Sequence, residues 1–131
     1  MMIVDTHCHA SPVWYEPVES LLAQMERNGV DAAVLIQMQG QFNNDYQFEC
    51  VRRYPGKLAS VVLVDVNQSG APATLEQLAA QGAAGVRLGP AWRSPGPDPL
   101  AIWRAAARLG LPISCGGASA DFASDDFAAL I

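Results

Sequence analysis

Two spacings of hydrophobic residues alternate along the chain. Short and nearly continuous apolar stretches have the length of buried β-strands. These stretches lie at about 2–9, 32–38, 58–66, 84–88 and 111–115. Between them, apolar residues recur at helical spacing, as in Val18, Leu21, Leu22 and Met25. The pattern therefore predicts five strands that alternate with helices.

Glycine marks the end of each predicted helix, and each of these glycines stands within two residues of the next strand. They recur about every 27 residues, at Gly29, Gly56, Gly82 and Gly110. Asn43 or Asn44 is expected to cap the helix that begins at Asp45, and Ser124 to cap a last helix over 124–131. A repeated strand–helix unit of this kind predicts a parallel sheet with crossover helices.

Two architectures accommodate five such units in 131 residues. One is an α/β (βα)8 TIM-barrel type, truncated to about its first five units; the other is an open, doubly wound five-stranded sheet. The last helix reaches Leu130-Ile131 without a stop signal, and polar residues gather at the ends of the strands. Both observations favour the truncated barrel, with residues 1–131 as a single domain.

Composition excludes several classes of protein. Half of the residues are hydrophobic and 16% are charged, which is typical of a globular chain. The net charge of −5 without a basic patch argues against nucleic acid or an anionic membrane surface as a partner. Cys8, Cys50 and Cys115 form no Cys-x-x-Cys pair, and no signal-like segment is visible. We therefore expect a cytoplasmic protein.

The only two histidines of the chain, His7 and His9, end the first strand. Regular alternation would put them on one face together with Asp5, with their Cα atoms ~7 Å apart. Both rings would then reach one metal ion, and Asp5 would hold a ligating ring by its second nitrogen. An isolated His-x-His also occurs as a hydrogen-bonded structural pair, so the triplet alone leaves both interpretations open.

Further polar residues stand at the carboxyl ends of the next three strands, where parallel α/β folds place their chemistry. They are Gln37, Asp65 and Arg87. Arg87 is flanked by apolar residues, so it either grips a carboxylate or lactone carbonyl of a substrate or pairs with Asp65. We expect all three residues to contact substrate.

The opening Val4-Asp5-Thr6-His7-Cys8-His9 resembles the Asp-x-His-x-His motif of the amidohydrolase superfamily, in particular its amidohydrolase-related branch of lactonases and metal-dependent decarboxylases. The resemblance continues through Tyr54-Pro55-Gly56-Lys57-Leu58, Gly85-Val86-Arg87-Leu88 and Leu109-Gly110-Leu111-Pro112. It covers essentially the whole chain.

The resemblance implies a (βα)8 barrel with one divalent metal, usually zinc, held in part by His7 and His9. The metal would activate a water, and Arg87 would orient an anionic small-molecule substrate. The family's catalytic aspartate belongs to an eighth strand, beyond Ile131. Strand five ends in Ser114-Cys115-Gly116-Gly117 where full metal sites often have histidine, so Cys115 is either a substitute ligand or a buried apolar cysteine.

We therefore expect a metal-dependent hydrolase that acts on a lactone or a similar C–O or C–N bond, with the 131-residue chain inactive by itself. The alternatives are a non-enzymatic half-barrel that self-associates and an open-sheet domain that binds a small molecule. Two parallel edges and an apolar interior would be exposed in a partial barrel, which favours a homo-oligomer.

Overall fold

All five predicted strands are present in the computed structural model of the chain, which describes residues 1–131. The strands are β1 (Val4–Cys8), β2 (Ala32–Ile36), β3 (Leu58–Val62), β4 (Gly85–Leu88) and β5 (Ile113–Cys115). The helices are α1 (Val18–Asn28), α2 (Asp45–Arg53), α3 (Ala71–Ala80), α4 (Ala101–Arg108), α5 (Ser119–Phe122) and α6 (Asp125–Ala128). None of the helices has the length and apolarity that a membrane crossing requires.

The strands form one parallel sheet in the order β1-β2-β3-β4-β5. A doubly wound sheet reverses its strand order at a switch point, and this sheet contains no reversal. Consecutive parallel pairing is the order of a (βα) barrel. The five units therefore form a half-barrel, and the alternative of an open doubly wound sheet is wrong.

The helices cover one face of the sheet and hold the strands in this order. In the first half, Val18 of α1 packs with Leu35 of β2. In the second half, Leu75 of α3 and Ile102 of α4 pack with Val86 of β4. All five of these side chains have no exposed surface. Burial of each one stabilises the fold by about 1.5–3 kcal/mol.

The opposite, concave face carries no helix. It forms an open groove of ≈ 350 Å³ between the strands. Its lining includes Thr6, Val34, Ile36, Val61 and Ile113. Alternate residues of each strand thus face the helices or this groove, as the two-residue period of a strand requires.

The third strand is shorter than the predicted stretch 58–66, because a side chain replaces the neighbouring strand at its end. Asn44 accepts a hydrogen bond from the Leu63 amide at 3.0 Å and donates to the Leu63 carbonyl at 3.0 Å. Asn44 stands at the N-cap position of α2 but makes no capping bond. Asn43 accepts from the Asp45 amide instead, at 2.9 Å.

The first strand departs from regular alternation. Asp5 lies opposite Ala33 and Cys8 opposite Leu35, so three steps along β1 match two steps along β2. This β-bulge breaks the regular alternation from which a shared strand face of Asp5 and the two histidines had been predicted. The three residues still line one pocket beside β1.

The helix ends were predicted correctly where glycine or serine specifies them. Gly29 and Gly110 follow their helices in the left-handed region, each with φ of 66°, which a residue without Cβ adopts readily. The Ser124 hydroxyl accepts from the Phe127 amide at 3.2 Å and caps α6, which is shorter than the predicted 124–131.

Replacing Asn44 by alanine should destabilise the fold by about 2–4 kcal/mol, because the amide and carbonyl of Leu63 would stay buried without partners. Asn28 donates only to the exposed Gln24 carbonyl, so Asn28→Ala serves as the control and should change stability by less than ~0.5 kcal/mol. Urea denaturation measures both values. Equal, small effects would show that the Asn44 bonds do not hold this end of the sheet.

Candidate active site

The carboxyl ends of the strands bring the two histidines and Arg87 to one edge of the half-barrel. His7 belongs to β1, His9 follows it directly, and Arg87 belongs to β4. The pKa of His7 is lowered in part by the charge of Arg87, so the two side chains lie within electrostatic reach of each other. The three side chains therefore stand at the same end of the sheet, and their roles in a site stay a prediction.

A backbone carbonyl fixes the ring of His9. Nδ1 of His9 lies 2.7 Å from the Ile36 carbonyl oxygen at the end of β2. A carbonyl only accepts, so Nδ1 carries the proton and donates it. Nε2 makes no hydrogen bond within the chain and is the ring nitrogen that the neutral tautomer would offer to a metal ion. This is the arrangement that orients a metal-ligating histidine, with a carbonyl in the place where Asp5 had been expected.

The two imidazoles lie close together. Their ring centroids are 5.2 Å apart and their planes meet at 88°. Burial lowers the pKa of His7 from its ordinary value of 6.5, and the charges of His9 and Arg87 lower it further while that of Asp5 opposes them. At neutral pH His7 is thus a neutral imidazole, the form that binds metal ions.

Arg87 reaches across the concave face from β4 to the end of β2. Its Nη1 donates to the Gln37 carbonyl at 2.9 Å, and its Nη2 lies 3.8 Å from the position that a Cβ on Gly116 would take. The proposed structural pair with Asp65 is not formed, since none of the four ion pairs of the chain includes Arg87. One tether holds the guanidinium, and its other donors remain available.

The side chain of Gln37 is occupied within the protein. Its Nε2 donates to the Asn43 carbonyl at 2.7 Å, and its Oε1 accepts from the Met38 amide at 2.9 Å. The residue is only 6% exposed. The contact that Gln37 makes with the site is therefore its backbone carbonyl, which holds Arg87.

Asp65 borders the mouth at the end of the β3 segment. It accepts hydrogen bonds from Gln68 and Asn67, which lower the pKa of its carboxyl group. It also lines a cavity of ≈ 540 Å³ together with Trp92 and Arg93 of the loop after β4. The three residues belong to neighbouring strand-to-helix loops, which is where a barrel places substrate contacts.

The cysteines take no part in this arrangement. Burial, with the Asp5 charge adding to it, raises the pKa of Cys8 to about 12, and its thiol donates to the Val34 carbonyl at 3.3 Å. Cys115 pairs in register with Leu88, which belongs to the helix-covered core. Of the two interpretations of Cys115, the geometry favours the structural cysteine over the substitute ligand.

The sequence pattern did not identify Tyr15 as a neighbour of the site. Its ring stands edge-on to that of His9, with centroids 5.9 Å apart. Tyr15 lies in the loop after β1, and an aromatic residue in the loop that follows a histidine pair is the one signal that would have pointed to it.

The donor set fits part of a zinc site. No group of three or more His, Cys, Asp or Glu side chains in the chain is arranged to hold a metal ion. A catalytic zinc takes three protein ligands. His7 and His9 have the right chemistry for two of them, since zinc accepts imidazole ligands and the His9 ring is already oriented through Nδ1. The chain thus provides two ligands and not a complete site.

A parallel half-barrel with strands in consecutive order, and with a histidine pair and an arginine at their carboxyl ends, places the chain in the class of (βα)-barrel proteins. The sequence model of one family in this class, amidohydrolase, matches residues 4–129. The chain belongs to the amidohydrolase family, as the resemblance of its opening motif had predicted.

Solved structures with the same fold are about twice as long as this chain. A probable 2-pyrone-4,6-dicarboxylic acid hydrolase from Acinetobacter baumannii, with citric acid bound, superposes with a TM-score of 0.67 at 24% identity over 88% of this chain and 49% of that one. A putative 2-pyrone-4,6-dicarboxylic acid hydrolase from Pseudomonas putida gives 0.67 at 22% identity, over 87% and 48%.

The 5-carboxyvanillate decarboxylase from Sphingomonas paucimobilis gives a TM-score of 0.68 at 14% identity, over 86% of this chain and 50% of that one. Identities this low show the fold alone. The chain spans about half the length of these structural relatives. Comparison with curated protein sequences gives no match.

Replacing Arg87 by methionine should raise the pKa of His7 towards 6.5, because one of the charges that oppose its protonation is removed. NMR titration of the histidine ring protons in the presence of a chelator measures the shift. Arg104→Met is the matched control, since Arg104 pairs with Asp98 on the surface and should leave His7 unchanged.

The same shift has a consequence for stability. The pKa of His7 is lower in the folded than in the unfolded chain, so the unfolded chain binds the proton more tightly. The His7 contribution to stability should therefore be present above pH 6.5 and decrease as the pH falls through that value.

An unchanged His7 titration in Arg87→Met would contradict the proximity of the two side chains.

Proposed function

We propose that the chain is part of a metal-dependent amidohydrolase that hydrolyses a lactone, or a similar C–O or C–N bond, in a small carboxylated substrate. His7 and His9 would hold a divalent ion, zinc in our proposal, and Arg87 would bind a carboxylate of the substrate. One observation carries this proposal: a closely spaced, oriented imidazole pair lies at the same end of the sheet as a guanidinium with unused donors.

The guanidinium of Arg87 is suited to recognising a carboxylate. Its planar fork presents five N–H donors, and two parallel bonds to one carboxylate fix the orientation of a substrate. The bond to the Gln37 carbonyl uses Nη1 and limits the freedom of the side chain. Binding a substrate carboxylate would therefore cost less side-chain entropy than it would for an untethered arginine.

A bound divalent ion would polarise the scissile carbonyl and lower the pKa of a water that attacks it. The residues of the chain would prepare the site for this chemistry. The Ile36 carbonyl orients the His9 ring through Nδ1, which would leave Nε2 for the ion. Burial keeps His7 neutral, and Arg87 would turn the substrate so that its carbonyl faces the imidazole pair.

Gln37 and Asp65 would have different parts in substrate binding. The carbonyl of Gln37 would set the position of Arg87. The Asp65 carboxylate would accept hydrogen bonds from a hydroxyl or amide of the substrate, because it would repel a substrate carboxylate. Trp92, on the wall of the same cavity, offers an apolar surface for a ring.

The names of the structural relatives support a carboxylated substrate. Two are described as hydrolases of 2-pyrone-4,6-dicarboxylic acid, which is a lactone with two carboxyl groups. The third is described as a decarboxylase of 5-carboxyvanillate. Because these chains are distant in sequence and twice as long, they indicate a class of substrate and not its identity.

The proposal predicts that the chain binds 2-pyrone-4,6-dicarboxylate through Arg87. NMR titration of the wild-type chain should shift the signals of Arg87 and His9. Arg87→Met should weaken binding by at least tenfold, as expected for the loss of bonds between charged groups. Arg104→Met, on the surface of α4, is the control for loss of one positive charge and should bind like the wild type.

Equal binding by wild type and Arg87→Met would refute the proposed anion site. With one equivalent of zinc, the 131-residue chain should bind the lactone without hydrolysing it, because two imidazoles leave zinc short of the three protein ligands of a catalytic site. Ultraviolet absorbance of the pyrone ring measures hydrolysis. Turnover by the pure chain would contradict the proposal that this chain supplies only part of the catalytic site.

We also propose that the chain forms a homo-oligomer in the cytoplasm, where its three free cysteines would stay reduced. The support is the apolar surface of the open half-barrel, since Met2, Ile3 and Val4 beside the β1 edge are exposed. The concave groove adds Val34 to this surface. Exposed strand edges and apolar patches promote association.

Sedimentation equilibrium at micromolar concentration should therefore give more than one protomer per particle. Val34→Glu puts a charge in the groove and should yield a monomer, whereas Val13→Glu changes a side chain that is 86% exposed and should not. A wild-type chain that sediments as a monomer would overturn the homo-oligomer.

A further inference from the structure

The β-bulge in β1 reverses the side-chain alternation just before the histidine pair. Asp5 pairs with Ala33, a residue of the helix-covered core. Thr6 lines the concave groove on the other face. In a regular strand, His7 would then follow Asp5 to the helix-covered face, and so would His9.

The structure shows the opposite arrangement at the end of the strand. Cys8 pairs with Leu35 and packs against the helix-covered core. Its neighbours on either side, His7 and His9, therefore face away from that core. Because three steps of β1 match two steps of β2, Thr6 and His7 together oppose the single residue Val34. The extra residue is what turns both histidines towards the mouth.

Two side-chain hydrogen bonds hold the backbone at this point. The Cys8 thiol donates across the bulge to the Val34 carbonyl, and Asp5 makes the other bond within β1 itself. The Oδ1 atom of Asp5 accepts a hydrogen bond from the His7 amide at 3.0 Å. That amide belongs to the residue at the bulge, where a strand leaves backbone groups without ladder partners. An aspartate that bonds the amide two residues ahead forms a local turn, and such turns compete with regular strand geometry.

We propose that Asp5 is the positioning residue of the histidine pair: its carboxylate bonds the His7 amide, fixes the bulge, and so sets both imidazoles at the mouth of the half-barrel. Asp5 would act on the backbone and not on an imidazole ring. The geometric part of this inference stands by itself, whereas its importance for catalysis rests on the proposed function.

The test compares two substitutions of Asp5 by NMR on the full 131-residue chain, without metal or substrate. Asp5→Asn retains an Oδ1 acceptor in the same place and should keep the bulge. Asp5→Ala removes the acceptor. In Asp5→Ala we expect about tenfold faster hydrogen exchange of the His7 amide and loss of the Nδ1–H signal of His9 that its bond to the Ile36 carbonyl produces.

Asp31→Ala is the matched control. Asp31 also accepts a hydrogen bond from a β1 amide, that of Ile3 at 2.7 Å, but it lies outside the bulge. It should leave the His7 amide and the His9 tautomer as in the wild type. This control separates positioning of the histidines from general weakening of the strand, which both substitutions share.

Three results would overturn the proposal. The His9 Nδ1–H signal persists in Asp5→Ala, or Asp31→Ala abolishes it equally, or Asp5→Asn abolishes it although its acceptor is retained. The last comparison remains decisive even when Asp5→Ala does not fold. No readout involves turnover or substrate, so failure of the proposed hydrolase function would leave these results interpretable. Failure of the Asp5 test would likewise leave the proposed hydrolase function open to its own test.

Discussion

The site depends on a backbone irregularity more than on any contact between side chains. One extra residue between Asp5 and Cys8 in β1 lets the strand keep Cys8 in the helix-covered core while both histidines turn to the mouth. A one-residue change of register moves a whole strand segment from one face to the other. Pairing with β2 and packing beneath the helices therefore decide where the imidazoles lie.

The second strand connects the two parts of the mouth through its backbone. The carbonyl of Ile36 accepts from His9, and the carbonyl of the next residue, Gln37, accepts from Arg87. Two successive carbonyls face different neighbours at the end of a parallel strand, where the ladder no longer uses them. The side chains of His9 and Arg87 are thus oriented by the same short stretch of main chain, and displacement of β2 would disturb both.

Hydrophobic spacing and helix-ending glycines predicted the order and approximate bounds of the five strand–helix units, because those signals are local. The strand order, which excludes the doubly wound sheet, depends on contacts distant in sequence. The barrel was favoured by the missing stop signal of the last helix, the strand-end polar residues and the opening motif. The bulge in β1 was not predicted from regular alternation. Of the two expected caps, Asn44 bonds Leu63 instead, whereas Asn43 accepts from the Asp45 amide. Arg87 was found at the mouth, but its tether was not foreseeable, because main-chain carbonyls carry no sequence signal.

The central claim is that the bulge and the β2 carbonyls orient two imidazoles for one metal ion. Anomalous diffraction at the zinc edge, from crystals of the chain grown with one equivalent of zinc, tests it most directly. One peak should lie ~2.0–2.1 Å from Nε2 of His9 and from a ring nitrogen of His7, with Nδ1 of His9 still bonded to the Ile36 carbonyl. A peak elsewhere on the chain, with none between the histidines, would contradict it.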